Sequence, residues 1–183
     1  MPSWGPLDAR LLVVGLAPGL KGANQTGRPF TGDFAGDLLY ETLILFGFAT
    51  GTYGARPQDG LSLIDCRITN AVRCVPPENK PIGAEIATCR QFLESELTQL
   101  SHVRHIVALG QIAHKAVIAA TGDRQAALPF GHGAIHTLKT GVVLTDSYHC
   151  SRYNTSTRRL TPDMFRAVFS DLRRRMDGEV EPD

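Results

Sequence analysis

RLLVVGLAPGLKGANQTGRPFTGDFAGDLLYETLILF, residues 10–46, holds the clearest signal of fold class in the chain. Arg10 to Leu16 is an apolar run that ends in glycine and proline, the pattern of a strand buried on both faces of a parallel sheet. The loop Ala17 to Asp33 carries Gly19, Gly22, Gly27 and Gly32 with Pro18 and Pro29. It is longer than a connector needs, and long loops in compact domains tend to be functional. Ala35 to Phe46 then places Leu38, Leu39, Thr42 and Leu45 near helical spacing. Strand, functional loop and helix form one βα unit.

The same grammar continues outward. Residues 47–62 read as surface loop, and Ser62 to Val72 as a second strand carrying IDCRITNAV. The loop VPPENKP follows, and Pro81 and Gly83 open a helix over Ala84 to Leu100, with Ile86, Leu93, Leu97 and Leu100 on one face. His105 to Leu109 is a third strand, turned by Gly110 into a helix over Gln111 to Thr121. AIHTL and GVVLTD around Thr140-Gly141 read as a hairpin. The polar loop His149 to Leu160 precedes a last helix that Thr161 caps and Pro162 starts. The order βα, βα, βα, ββ, α predicts one three-layer α/β/α domain over residues 1–183, with a mainly parallel sheet and peripheral tails at 1–9 and 177–183. Ligands in such folds bind beyond the carboxyl ends of the strands.

Composition narrows the function classes. Of the 183 residues 43% are hydrophobic, and Lys+Arg 19 against Asp+Glu 18 leaves a net charge of +1, which excludes a polycation that holds acidic partners by bulk charge. Residues 152–175 nevertheless hold seven Arg against two Asp, a local excess of about +5. No apolar run approaches the ~18 residues of a membrane span, and no signal peptide is visible. Four cysteines are too few for a disulfide scaffold. The expectation is a soluble, cytoplasmic monomer.

Three clusters could carry chemistry. The first loop lacks both GxxxxGK[ST] and GxGxxG, so nucleotide binding by those modes is disfavoured. It sets Phe30 and Asp33 at a strand end. Phe30 reads as a stacking platform or a core aromatic, and Asp33 as a site carboxylate or a helix N-cap. Asn70 closes the second strand. Its amide matches the donor–acceptor face of a pyrimidine, or it is a turn asparagine. YHCSRYNTSTRRLT, residues 148–161, joins His149, hydroxyls, Asn154 and arginines of the kind that contact phosphate. A Cys150–His149 nucleophilic pair is disfavoured, because adjacent residues of an extended segment point to opposite sides. His132 and His136 read as loop or sheet histidines.

GLAPGLKGANQTGRPFTGDFAGDLLY (15–40), RITNAVRCVPPENKP (67–81), HIVALG (105–110), FGHG (130–133) and YHCSRYNTSTRRLTPDMF (148–165) together resemble the uracil-DNA glycosylase superfamily, most closely its family 5 branch. The resemblance runs from about residue 10 to 175. It implies a four-stranded, mainly parallel sheet between helices, and removal of uracil and other deaminated bases such as hypoxanthine and xanthine from DNA. It implies that Phe30 stacks on a flipped base, that Asn70 faces its Watson–Crick edge, and that His149 donates to the base O2. Backbone amides near Ala17 and Gly19 would help hold the base. Leu16 stands where family 4 has an acidic or polar side chain, and Asp33 resembles the carboxylate that takes over. Ser151, Arg152, Tyr153, Asn154 and Thr155 would meet the DNA backbone, with Arg152 or Tyr153 entering the space left by the base.

The resemblance also implies a 4Fe–4S cluster, with Cys74 and Cys89 matching its later pair of ligands. The N-terminal C-x2-C pair is not in the chain, which leaves two readings: a missing upstream segment or a lost cluster. Cys150 replaces the family proline after His149, and Arg158 replaces a glycine before the RLT segment. The partner implied is uracil-containing or deaminated DNA, with no membrane. The alternative is a catalytically weakened or covalently trapping DNA-binding relative of the same fold.

Overall fold

Residues 1–178 are described by a computed structural model, so Glu179 to Asp183, most of the acidic tail expected to fray, lie outside the described residues. In chain order the elements are β1 (Leu11–Gly15), α1 (Ala23–Thr26), α2 (Phe34–Leu45), β2 (Ala49–Thr50), β3 (Ser62–Leu63), β4 (Cys66–Asn70), α3 (Gly83–Gln99), β5 (His105–Leu109), α4 (Gln111–Ala120), β6 (Ile135–Thr137), β7 (Val143–Ser147), α5 (Arg152–Ser156) and α6 (Pro162–Gly178). The main sheet runs β4-β1-β5-β7-β6. Its first four strands are parallel, and β6 is antiparallel to β7. The expected four strands thus become five, because the first arm of the hairpin joins the sheet as an edge.

Alternation along β1 divides the core. Leu11 and Val13 face Leu39, Leu43, Phe165 and Phe169 of α2 and α6. Leu12 and Val14 face Leu93, Ala113 and Val117 of α3 and α4. Successive side chains of a strand point to opposite faces, so a strand with both faces covered must be apolar throughout. Each fully buried aliphatic side chain contributes about 1.5–3 kcal/mol.

Two expectations are corrected. The strand drawn over Ser62 to Val72 breaks at Asp65, whose φ is 51°. Before the break β3 pairs with β2 in a small ribbon, and after it β4 enters the main sheet. The first nine residues are not a peripheral tail. Trp4 and Ile68 exchange backbone hydrogen bonds of 2.9 and 2.8 Å, which covers the exposed edge of β4. Ser3 Oγ donates to Glu96 Oε2 at 2.7 Å, and the buried Glu96 also pairs with Arg67 and Arg73. Among the described residues no helix is long and apolar enough to cross a membrane.

The loop after β1 is anchored by a buried ion pair. Arg28 meets Asp59 through two hydrogen bonds of 2.8 and 2.7 Å, with side-chain exposures of 5% and 2%. The guanidinium lies against the rings of Trp4, Tyr40 and Tyr53 at 5.0–5.8 Å. Hydrogen bonding from Arg28 holds the Asp59 carboxyl far below the usual carboxylate range. A depressed folded-state pKa contributes stability above the unfolded value, and that contribution is lost as pH falls through the folded one. Asp59→Asn leaves Arg28 buried and uncompensated and is expected to cost about 3 kcal/mol in urea unfolding at neutral pH. The segment after α5 holds Arg158 at φ 57°, the left-handed region that favours glycine. That backbone suits the glycine which the resemblance implies at this position. Arg158→Gly is expected to raise unfolding stability by about 0.5–1 kcal/mol, the left-handed penalty less glycine's larger chain entropy.

Candidate active site

The parallel pairing brings Gly15, Asn70, Leu109 and Ser147 to one edge of the sheet. The segments that follow them enclose a cavity of about 770 Å³. Of the residues singled out from sequence, Ala17, Gly19, Phe30, Asp33, Asn70, His149, Ser151, Arg152 and Asn154 line it. Tyr153 and Thr155 do not. Tyr153 is 72% exposed, and the Thr155 hydroxyl donates to the carbonyls of Ser151 and Arg152 within α5.

Close approach of Phe30 and Asn70 requires a residue without a side chain at the end of β1. A Cβ on Gly15 would lie 2.4 Å from Asn70 Oδ1 and 2.5 Å from Phe30 Cζ. Phe30 itself has φ 57°, unusual for an aromatic residue. Its neighbours hold it there: Tyr40 Oη donates to the Pro29 carbonyl, and Tyr53 Oη donates to the Phe30 carbonyl at 3.3 Å. Asn70 is buried, and its Oδ1 has no protein partner. An unpaired buried acceptor costs about 1–3 kcal/mol, which a ligand donor can recover.

Asp33 occupies the N-cap position of α2, yet its carboxylate makes no capping bond. It folds over the first loop instead. The Ala23 N–H donates to Oδ2 at 3.4 Å, and a Cβ on Gly22 would lie 2.0 Å from Oδ1. Burial raises the Asp33 pKa above the ordinary carboxylate value, opposed by backbone N–H groups of Ala23 and Gly19. The glycines of this loop therefore make room for a carboxylate rather than for a phosphate.

His149 is half-buried, with its ring 6.1 Å from that of Phe30. Desolvation pushes its pKa down to about 4, so the imidazole is neutral at physiological pH and keeps one N–H to donate. Its backbone is fixed by Asn154, whose side chain donates to the His149 carbonyl at 2.8 Å. Cys150 is fully buried beneath this loop and donates to the Ala35 carbonyl at 3.4 Å. Burial pushes its thiol up to about 12, so it is no nucleophile at neutral pH. In place of a proline's fixed φ, Cys150 ties the loop to α2.

The cavity also uses residues that received no role from sequence. Gln111 and Ile112 come from the start of α4, Phe130 and Gly131 from the FGHG loop, and Tyr148 from just before His149, while Arg159, one of the arginines expected to contact phosphate, joins them from beyond α5. Gly110 directly after a buried strand was a usable signal, because it marks a further carboxyl end. Arg152 lies over the ring of Phe34 at 4.9 Å and Arg159 over Tyr148 at 4.7 Å, so aromatic faces aim two cations at the cavity mouth. The rest of the arginine-rich stretch is used differently. Arg166 pairs with Glu41, Arg173 packs on Phe48 and donates to the Phe46 carbonyl, and Arg174 pairs with Asp171. Much of the local excess of positive charge is therefore engaged along α6.

A 4Fe–4S cluster needs four thiolates. Cys74 is exposed after β4, and Cys89 is buried on α3. Cys66 and Cys150 belong to the core between the sheet, α2 and α6, with thiols pushed up by burial. Among the described residues the only convergence of three or more possible ligands, His114, His136 and Asp146, includes no cysteine. Cys74 and Cys89 are the two cysteines that lie outside that core.

Comparison with known proteins places the chain among related sequences. A type-5 uracil-DNA glycosylase of Thermus thermophilus is 47% identical over 174 residues, covering 95% of this chain and 79% of that protein. One from Mycobacterium leprae is 44% identical over 176 residues, 95% of this chain and 77% of its own length. A type-4 uracil-DNA glycosylase of Pyrobaculum aerophilum is 35% identical over 125 residues, 68% of this chain and 56% of that protein. The family model described as the uracil DNA glycosylase superfamily matches residues 2–173, which span every strand of the sheet and every wall of the cavity. On that match and these relatives, this chain belongs to the uracil DNA glycosylase superfamily.

Proposed function

We propose that this protein is a monofunctional DNA glycosylase that hydrolyses the N-glycosidic bond of uracil, and of hypoxanthine and xanthine, in DNA. The observation that carries the reading is the convergence of Phe30, Asp33, Asn70 and His149 on one cavity, with His149 held neutral by burial. A glycosidic bond is inaccessible in stacked duplex DNA, so the nucleotide swings out and its base enters the cavity. Phe30 offers a ring face to the base. Asn70 Oδ1, which has no protein partner, accepts from an N–H on the base edge, and its amide N–H donates to the adjacent carbonyl. The cavity is roomy enough for a purine, which supports the wider set of deaminated bases.

In the reaction the bond from C1′ to the base nitrogen breaks, and its electron pair goes to the base. Charge develops on the base oxygen, where a neutral His149 N–H stabilises it. Donation aimed at developing charge in a desolvated site is worth several kcal/mol. The other half of the transition state is a cationic sugar. Ionised Asp33 stabilises that cation and orients a water, accepting its proton as the new C1′–O bond forms. Arg152 and Arg159 meet phosphates at the cavity mouth. Tyr153, the most exposed aromatic of this loop, fills the gap left in the stack.

Asp33→Asn and His149→Ala are each expected to lower base release from uracil-containing oligonucleotides by roughly 10²-fold. A wild-type rate in either, with the fold intact by circular dichroism, rejects that residue's role. The pH profile supplies a separate check. Asp33 must be ionised, and burial raises its pKa, so the rate is expected to fall on the acid side at a pH above the ordinary aspartate value. His149 titrates only near 4, so no inflection is expected near the ordinary histidine value of about 6.5.

A further inference from the structure

Behind the cavity wall made by Phe130 and Gly131, side chains from three elements meet: His114 of α4, His136 of β6 and Asp146 of β7. One ligand-capable atom of each lies within 4.8 Å of the other two. Asp146 and His114 are 0% and 2% exposed, and the side chain of His136 is 11% exposed. None of the three belongs to the catalytic constellation.

Their hydrogen bonds constrain what the cluster presents. His114 Nε2 lies 2.9 Å from the Leu128 carbonyl oxygen, which can only accept, so Nε2 carries hydrogen. His114 Nδ1 faces Asp146 Oδ1 at 2.8 Å, where it either donates a proton to the carboxylate or, once a cation displaces that proton, offers its lone pair. His136 Nε2 lies 3.5 Å from Asp146 Oδ2, is buried, and has no hydrogen-bond partner. Two imidazole nitrogens and one carboxylate thus converge as electron-pair donors, an arrangement that a shared cation stabilises. Imidazole and carboxylate together suit zinc-like ions rather than magnesium or calcium. The outer contacts match as well. The His114 N–H is held by a backbone carbonyl, as in most metal-bound histidines, and Asp146 Oδ2 accepts the Gly131 N–H at 3.4 Å.

We propose that His114, His136 and Asp146 form a structural site for a divalent transition-metal cation of the zinc class. With bonds of about 2.0–2.1 Å, a tetrahedral ion sets its ligand atoms roughly 3.3–3.5 Å apart. The His114–Asp146 contact opens slightly and His136 draws inward, a small torsion for a side chain on the edge strand β6. The ion fastens α4 to the β6–β7 hairpin and, through Asp146 and Gly131, positions the FGHG loop. Phe130, packed edge-on against His114 at 5.5 Å, is thereby held in the cavity wall.

The test titrates chelator-treated full-length protein with Co²⁺ as a spectroscopic probe and with Zn²⁺ as the competing ion. A single Co²⁺ per chain is expected, with the visible d–d bands of a tetrahedral nitrogen/oxygen site displaced by Zn²⁺, and Zn²⁺ is expected to raise the thermal midpoint. His136→Gln is expected to abolish both signals while the variant keeps the folding and base release of the metal-free wild type. Absence of Co²⁺ bands together with an unmoved thermal midpoint would overturn the proposal, leaving a proton shared between His114 and Asp146. Undiminished binding in His136→Gln would overturn it too. So would bands with sulfur charge transfer that disappear in Cys74→Ser, which place the ion on the exposed thiol.

Discussion

The structure depends on β1 lying between β4 and β5, buried on both faces. That placement forces every residue of LLVVG to be apolar or absent as a side chain. It also aligns four strand ends along one edge, so that loops far apart in sequence share one cavity. The last residue of β1 must be glycine for a reason of space. Gly15 sits opposite Asn70 in the ladder, and any side chain there would displace both Asn70 and Phe30. One backbone constraint thus links the core of the sheet to the Phe30–Asn70 end of the cavity.

Burial then tunes the chemistry. The same desolvation acts in opposite directions on an acid and on a base, because it penalises whichever form is charged. It keeps His149 neutral and able to donate without first losing a proton, and it makes Asp33 a stronger base than an exposed carboxylate. A third group, Cys150, is silenced by it. One low-dielectric environment therefore leaves a neutral imidazole, a more basic carboxylate and an inert thiol side by side.

Precision comes from supports outside the cavity. The loop that presents Phe30 and Asp33 has little regular structure of its own, only the four residues of α1. It is held by the Arg28–Asp59 pair within its aromatic surround, by Tyr40 and Tyr53 on the backbone at Pro29 and Phe30, and by N–H groups on the Asp33 carboxylate. The loop after β7 is held by Asn154 on the His149 carbonyl and by Cys150 on α2. A site on loops needs such over-determination, because a loop cannot fix its side chains by its own hydrogen bonds.

Much of this was legible in the chain. Apolar runs and helical spacing are local signals, so β1, β5, α2, α3, α4 and α6 could be read within a residue or two, and Phe30, Asp33, Asn70 and His149 stood out as polar or aromatic residues at strand ends. The break at Asp65 was not legible, because it comes from a backbone turn that Arg10 secures from a distant segment. Nor was the role of Trp4, which pairs with a strand more than sixty residues away. Arginine count misled for the same reason: charge in sequence does not say which guanidiniums find partners along α6. Local pattern is enough to set the alternation of elements and the inventory of reactive groups. That Asp33 lies over Gly19 and Gly22 instead of capping α2, that Cys150 is buried, and that α4 and the FGHG loop complete the cavity all follow from packing, since each depends on contacts between residues that the assembled sheet brings together.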